Sequence, residues 1–185
     1  MLSYQIHTAR LILRPFSIAD ADALWDYSGD PEWGRFQGLA DPYTREEADR
    51  FLAGLLLRDR QMQPTWAMTI GGAVIGIVSL KFEAGHRIAV LGYGVHKKHW
   101  GEGLSVEAAG AAIGQAFEKC SLLQRIRAHT DARNSGSIRV LQKLKFKHEG
   151  TLRSNGFFSG EFVDEAIFGL MRTEWSDGRL SKLHP

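Results

Sequence analysis

The spacing of apolar residues changes period several times along the chain, and each change marks an element. From Thr8 to Arg14 polar and apolar residues alternate as far as Pro15, which predicts a strand. Ser17 with Asp20 has the spacing of a capping box, with an acid one carbon shorter than usual, and predicts a helix through about Tyr27. Residues 29–42 carry no period and read as loop. Thr44 with Glu47 is a second capping box, opening a helix to about Arg60. Thr65–Ile70 and Ala73–Leu80 flank Gly71-Gly72 as a hairpin. A looser turn, Glu83–Arg87, leads into Ile88–Val95, apolar enough for a strand buried on at least one face. From about Leu104 the period becomes helical, with Val106, Ala109, Ile113 and Phe117 on one stripe. Gln124–Thr130 alternates again. Asn134 or Ser135 caps a short helix to about Lys145, and Lys147–Phe158 with Glu161–Met171 read as a hairpin around Ser159-Gly160.

This order, β-α-α-β-β-β-α-β-α-β-β, implies an α/β (α+β) chain with a mixed central sheet of about seven strands and about four helices on its faces. The 185 residues suit a single domain, 1–185, with a substantial core. Composition then narrows the function. Lys and Arg number 23 and Asp and Glu 21, so 23 − 21 gives a net charge of +2, against a dedicated nucleic-acid binder. The densest basic run is His96-Lys-Lys-His99. No apolar run approaches the ~20 residues that cross a bilayer, and Met1–His7 lacks the layout of a signal peptide. Cys120 is the sole cysteine, which excludes an internal disulfide and fits a reducing, cytoplasmic setting; it reads as a packing residue.

Chemistry concentrates in Ile88–Glu107. A strand ends, Lys98-His-Trp-Gly-Glu-Gly103 follows, and a helix begins. Gly101 and Gly103 allow a sharp turn and close approach to a ligand, and the helix start offers free N–H groups to an anion, with phosphate the expected one. A P-loop would need Gly-Lys-Ser/Thr, and here Leu104-Ser105 follows the second glycine. A dinucleotide fingerprint would need a third glycine at Val106. The remaining pattern, Lys98-x-x-Gly101-x-Gly103, resembles the acyl-CoA pyrophosphate loop of the GNAT superfamily of N-acetyltransferases, with Lys where Gln or Arg is usual. Leu91-Gly-Tyr-Gly-Val95 with His99-Trp-Gly-Glu-Gly103 is similar to the RimJ/RimL branch, which acetylates ribosomal-protein N-termini. Arg10-Leu-Ile-Leu-Arg-Pro-Phe16, Gly29-Asp-Pro-Glu32, Pro42–Ala48, Asn134–Phe146, Asn155-Gly156 and Glu174-Trp175 resemble further segments of that branch in the right order.

The resemblance implies acetyl-CoA (coenzyme A) as cofactor. Trp100, Gly101, Glu102, Gly103, Leu104 and Ser105 would present backbone N–H groups to its pyrophosphate, beside Lys98, and Tyr93, Gly94 and Val95 would pair their main chain with the pantetheine. Asn134 would contact the pantetheine and Ser137 would stand near the sulfur. Both are also natural helix-capping residues. Many members carry a tyrosine acid seven residues after that asparagine; here the position is Leu141, so the acid role falls to Ser137 or to water. Many carry a glutamate two residues before the Gly-Tyr; here it is Val90. Glu83, His86 and Asp164 remain as base candidates, each also readable as a surface residue. Asp30, Glu32, Trp33 and Phe36 would line a pocket for a cationic amine, or form a polar loop with aromatic anchors. His96-x-x-His99 has no second ligand pair nearby, so no metal is expected.

The expected activity is transfer of an acetyl group to a primary amine, a protein N-terminus or a small molecule, by direct attack in a ternary complex. Two alternatives stand beside it: a succinyl-CoA-using transferase of the same fold, and a CoA-binding regulatory module without turnover. No nucleic-acid or membrane partner is expected. A homodimer, and the acceptor's identity, are left open.

Overall fold

A computed structural model describes residues 2–38, 43–158 and 160–176. The end of the expected loop, Leu39–Pro42, and Ser159 of the closing hairpin lie outside the described residues. Eight strands form one sheet in the order β1-β2-β3-β4-β5-β6-β8-β7. They are β1 (Ile6–His7), β2 (Ile12–Arg14), β3 (Thr65–Ile70), β4 (Ala73–Glu83), β5 (Ile88–Val95), β6 (Arg125–Asp131), β7 (Lys147–Phe158) and β8 (Glu161–Met171). Six α-helices join them: α1 (Ala21–Ser28), α2 (Pro31–Gly34), α3 (Arg45–Leu57), α4 (Leu104–Lys119), α5 (Ser135–Lys143) and α6 (Arg172–Ser176).

Several elements differ from the sequence expectation. The opening strand is split: Thr8 turns the chain, its N–H donating to Leu11 O at 2.9 Å, and β1 pairs back on β2. Within the expected loop, Asp30 caps α2 by accepting from the Glu32 N–H at 2.9 Å, with Pro31 in the first turn, where its missing N–H costs nothing. α3 ends at Leu57, three residues before Arg60. The terminal α6 was not expected.

The sheet separates two cores. On one face α4 presents Leu104, Ala108, Ala109, Ala112, Ile113, Ala116 and Phe117 to β4, β5 and β6. The alanines bring the helix axis close to the sheet. Val106, expected on that stripe, is only half-buried. On the other face Leu24, Tyr27, Trp33, Leu52 and Leu55 of α1, α2 and α3 pack on Ala67 and Val74. Fully burying a side chain of this size contributes about 1.5–3 kcal/mol.

One break in the sheet positions the site. β5 and β6 run parallel, and their register covers only Ile88–Arg125, Ala89–Ile126 and Val90–Arg127. Beyond Val90 the strands part, although β5 continues to Val95 and stays paired with β4 throughout. A gap opens through the sheet between Leu91–Val95 and Ala128–Asp131.

Candidate active site

The gap is the floor of a cleft of about 740 Å³. It has a side facing α4 and α5 and a side facing α2 and the β7–β8 hairpin. His96 N–H donates to Ile75 O at 2.7 Å, toward β4. Strand alternation therefore turns the main chain of Gly94 toward β4 and that of Tyr93 and Val95 into the gap. Trp100 Nε1 takes the Val95 carbonyl at 2.9 Å, which leaves the Val95 N–H and both Tyr93 groups facing the cleft. Gly94 serves through its missing side chain: a Cβ there would stand 2.8 Å from the Trp33 ring.

The loop after β5 tightens as its glycines require. Gly101 and Gly103 have φ of 82° and 80°, left-handed values that a β-branched residue would strain. The first α4 hydrogen bond runs from Glu107 N–H to Gly103 O at 3.1 Å. The N–H groups from Gly101 to Val106 take no protein partner among the described residues. A row of free N–H groups at the positive end of a 16-residue helix is an anion cradle. Arg139 and Lys143 of α5 line the same side and make no ion pair among the described residues.

A brace missed by the sequence reading holds this loop. Glu107 accepts from Thr8 Oγ1 at 2.6 Å, from Arg10 N–H at 2.8 Å and from Arg10 Nε at 2.7 Å, while Arg10 Nη1 reaches Glu102 O at 3.0 Å. Burial works to raise the Glu107 pKa, but the Thr8 and Arg10 hydrogen bonds prevail and hold it below the usual range.

Asn134 caps α5, its Oδ1 accepting from the Ser137 N–H at 3.0 Å. Ser137 is therefore free of capping duty. Its Oγ lies 2.8 Å from the Tyr93 hydroxyl, which also donates to Ser137 O at 3.1 Å. Burial pushes the Tyr93 pKa up to about 12 against the opposing Ser137 hydrogen bond, so the phenol stays protonated at neutral pH. The strand pattern predicts a role for the Tyr93 main chain alone, and the hydroxyl adds a second group to the site. Leu141 is fully buried on the same helix.

Of the expected site residues, Tyr93, Gly94, Val95, Trp100, Gly101, Gly103, Leu104, Ser105, Asn134 and Ser137 line the cleft. Lys98 and Glu102 do not. The Lys98 N–H bonds His96 Nδ1 at 3.0 Å, and Glu102 lies 3.4 Å from His99 Nδ1. His96 directs its other ring nitrogen to Asp26, at 3.2 Å. Glu83, His86 and Asp164 all stand outside the cleft. Glu83 pairs with Arg127 at 2.6 Å, His86 lies 3.3 Å from Gln61 O, and Asp164 accepts from the Ser154 N–H at 3.0 Å. Asp30 and Glu32 also fall outside, both next to Lys97. Trp33 and Phe36 do line the cleft, with Gln37, His129 and Phe158; no carboxylate is among its described lining residues.

A family model described as an acetyltransferase (GNAT) domain matches residues 10–147. The chain belongs to the GNAT acetyltransferase family. It is an N-acetyltransferase, and acetyltransferases of this fold use acetyl-CoA. An uncharacterized N-acetyltransferase, p20, of Bacillus licheniformis is 29% identical over 92% of this chain and 98% of its own. The ribosomal protein uS5-alanine N-acetyltransferase of Escherichia coli is 32% identical over 48% of this chain and 45% of its own. The crystal structure of a GNAT-family acetyltransferase from Bacillus anthracis superposes with a TM-score of 0.81 over 92% of this chain and 99% of that one, at 21% identity. The mixed sheet with its flanking helices is thus the fold of the family. No helix among the described residues is long and apolar enough to cross a membrane.

Proposed function

We propose that the chain binds acetyl-CoA on the α4–α5 side of the cleft and acetylates a primary amine entering from the α2 side. The observation that carries this reading is the parting of β5 and β6 beyond Val90, because it joins the two sides through the sheet. The pyrophosphate would take the N–H groups of Gly101–Val106, with Arg139 and Lys143 beside them. The pantetheine would run along the main chain of Tyr93 and Val95 and past Asn134. A β5 N–H would polarise the thioester carbonyl, as oxyanion-hole donors do. Ser137, hydrogen-bonded to Tyr93, would hand its proton to the departing thiolate and recover one from the phenol or from water.

The acceptor side carries aromatic rings, His129 and neutral polar groups, together with Arg133, whose charge is matched by Asp131 and Glu161. That lining suits the α-amine of a protein N-terminus better than a polyamine, which would call for carboxylates. The uS5-alanine N-acetyltransferase points the same way. A single cysteine suits a cytoplasmic setting.

The test is release of free CoA thiol from acetyl-CoA with N-terminal peptides, amino acids and polyamines as acceptors. Peptides should turn over fastest. Preference for a polyamine overturns the acceptor assignment, and succinyl-CoA outcompeting acetyl-CoA overturns the donor assignment.

A further inference from the structure

An amine must be neutral to attack a thioester, and at neutral pH most α-amines carry a proton. We propose that His129 is the general base that removes it, with Glu165 and Asn155 as positioning residues; this rests on the amine entering from the α2 side. Along β6, Ile126, Ala128 and Thr130 are buried and His129 turns to the opposite face. That face carries Trp33. His129 lies two residues past the last β5–β6 pair, Val90–Arg127, level with Gly92 where the gap opens. It lines the cleft with Phe36, Gln37 and Phe158.

The ring is held from behind. His129 Nδ1 is 2.5 Å from Glu165 Oε1, and Glu165 is only 6% exposed. Its other oxygen accepts from Asn155 Nδ2 at 2.6 Å. With Glu165 ionised and the imidazole neutral, the carboxylate can only accept, so the ring proton sits on Nδ1 and the Nε2 lone pair is left free. Nε2 has no partner among the described residues. This is the arrangement in which a carboxylate orients a histidine base.

The closing hairpin is distorted in the way this arrangement needs. The β7–β8 register passes from Leu152–Glu165 to Gly156–Val163, so residues 153–155 face Asp164 alone. Within this bulge Ser154 has φ of 49°, and its N–H bonds Asp164 Oδ1 at 3.0 Å. A non-glycine residue in the left-handed region is strained. In return the bulge brings Asn155 onto Glu165. Bulges of this kind re-aim side chains beside active sites.

The other charged groups around His129 are already matched. Asp131, opposite Glu165 in the β6–β8 register, is chelated by Arg133 at 2.7 and 3.0 Å, and Arg133 also bonds Glu161 at 2.8 Å. Arg127, two residues before His129, bonds Glu83 at 2.6 Å. Among the described titratable side chains lining this side, His129 alone offers a free lone pair to an ammonium group. In the reaction, Nε2 takes one proton from the ammonium. The freed nitrogen lone pair forms the C–N bond and the carbonyl π electrons move to oxygen. The C–S bond then breaks with its pair on sulfur. The second nitrogen proton leaves to water, and the thiolate takes one proton through Ser137. One amine proton thus ends in solvent by way of His129, and the other balances the thiol.

The experiment compares wild type with His129→Gln and Glu165→Gln. Each is first checked for a normal melting temperature and for acetyl-CoA binding by calorimetry. His129→Gln should bind acetyl-CoA unchanged and lose roughly a hundredfold in kcat/KM for the amine, the low end for a general base. Its rate should climb with hydroxide through pH 9 without the wild-type inflection. Nitrogen NMR of the ligand-free protein should show His129 protonated on Nδ1 only, and Glu165→Gln should abolish that single tautomer while lowering kcat. A His129 carrying its proton on Nε2 overturns the proposal, as does a folded His129→Gln enzyme with wild-type kcat/KM and pH profile. Wild type that fails to bind acetyl-CoA overturns the donor-side reading and the base with it. Normal binding with an unaffected variant overturns the base alone.

Discussion

The two sides of the cleft offer different means of recognition to the donor and the acceptor proposed for them. The α4–α5 side is built largely from main chain: N–H groups from Gly101 to Val106 with no protein partner among the described residues, a half-open strand at Tyr93 and Val95, and one capped helix, with Arg139 and Lys143 beside them. The α2 side is built from side chains brought together from distant segments: Trp33 and Phe36, His129, Asn155 and Phe158, with Glu165 behind them. Even the unsatisfied groups follow this division. The free donors on the first side are backbone amides, and on the second the buried Trp33 Nε1 has no partner among the described residues. A donor common to a whole family can be held by backbone, because backbone is the same in every sequence. An acceptor that differs between enzymes has to be read by side chains.

The largest break in that comparison should come from Gly103→Val. It strains a left-handed position with φ of 80°, so the loop must shift and carry the amide row with it. Losing one charge-assisted hydrogen bond costs about 1.5–3 kcal/mol, so acetyl-CoA affinity should drop roughly ten- to a hundredfold by calorimetry. The amine KM should hold. An unchanged acetyl-CoA affinity in the folded variant would place the phosphates elsewhere.

Ser137→Ala tests the single side chain on which the donor side depends chemically. kcat should fall about ten- to thirtyfold, since a thiolate with an ordinary pKa near 8.5 leaves tolerably without help. Acetyl-CoA affinity and melting temperature should barely move, because Asn134 rather than Ser137 supplies the cap. Full kcat in this variant would assign the sulfur's proton to water. Tyr93→Phe sharpens the point. If the phenol only orients and recharges Ser137, kcat should fall about threefold, less than in Ser137→Ala; an equal loss would make Tyr93 the proton source.

Glu107→Gln should have the smallest effect. Its carboxyl pKa is held below the ordinary value, so its contribution to stability is complete above about pH 4.3 and disappears as pH falls through the lower folded value. The variant should therefore melt lower at pH 7 while losing less on acidification than wild type. Acetyl-CoA affinity should weaken only a few-fold as the Arg10 brace loosens. An acid limb of the melting curve identical to wild type would remove Glu107 from the brace.

How much of this was legible in the chain depends on sequence distance. The donor side was nearly all readable. Gly101, Gly103 and the helical period from Leu104 lie within twenty residues of the strand they follow, and Asn134 stands three residues before Ser137. Short-range geometry is set by backbone preferences and spacing. α2 was readable too, since Asp30-Pro31-Glu32 is a cap, a first-turn proline and a first-turn acid, and reading 29–42 as loop passed over it. The side chains of Lys98 and Glu102 lie outside the cleft, yet Glu102 keeps its backbone N–H in the amide row, because a loop residue's side chain can turn away while its backbone stays.

The proposed base, His129, was out of reach. Glu83, His86 and Asp164 were chosen for chemistry alone, and each proved to be engaged elsewhere on the surface. His129 lay in an alternating strand where an exposed polar residue is unremarkable. Nothing local marks it as the partner of Glu165 and Asn155.

The chain by itself determined the element order, the glycine loop and the helix caps, because these follow from dihedral preference, period and hydrogen bonds between near neighbours. The tertiary structure decided where β5 and β6 part, which face His129 takes, and that the β7 bulge lays Asn155 over Glu165. Those are matters of register between strands distant in sequence. A shift of one residue would turn every side chain to the other face.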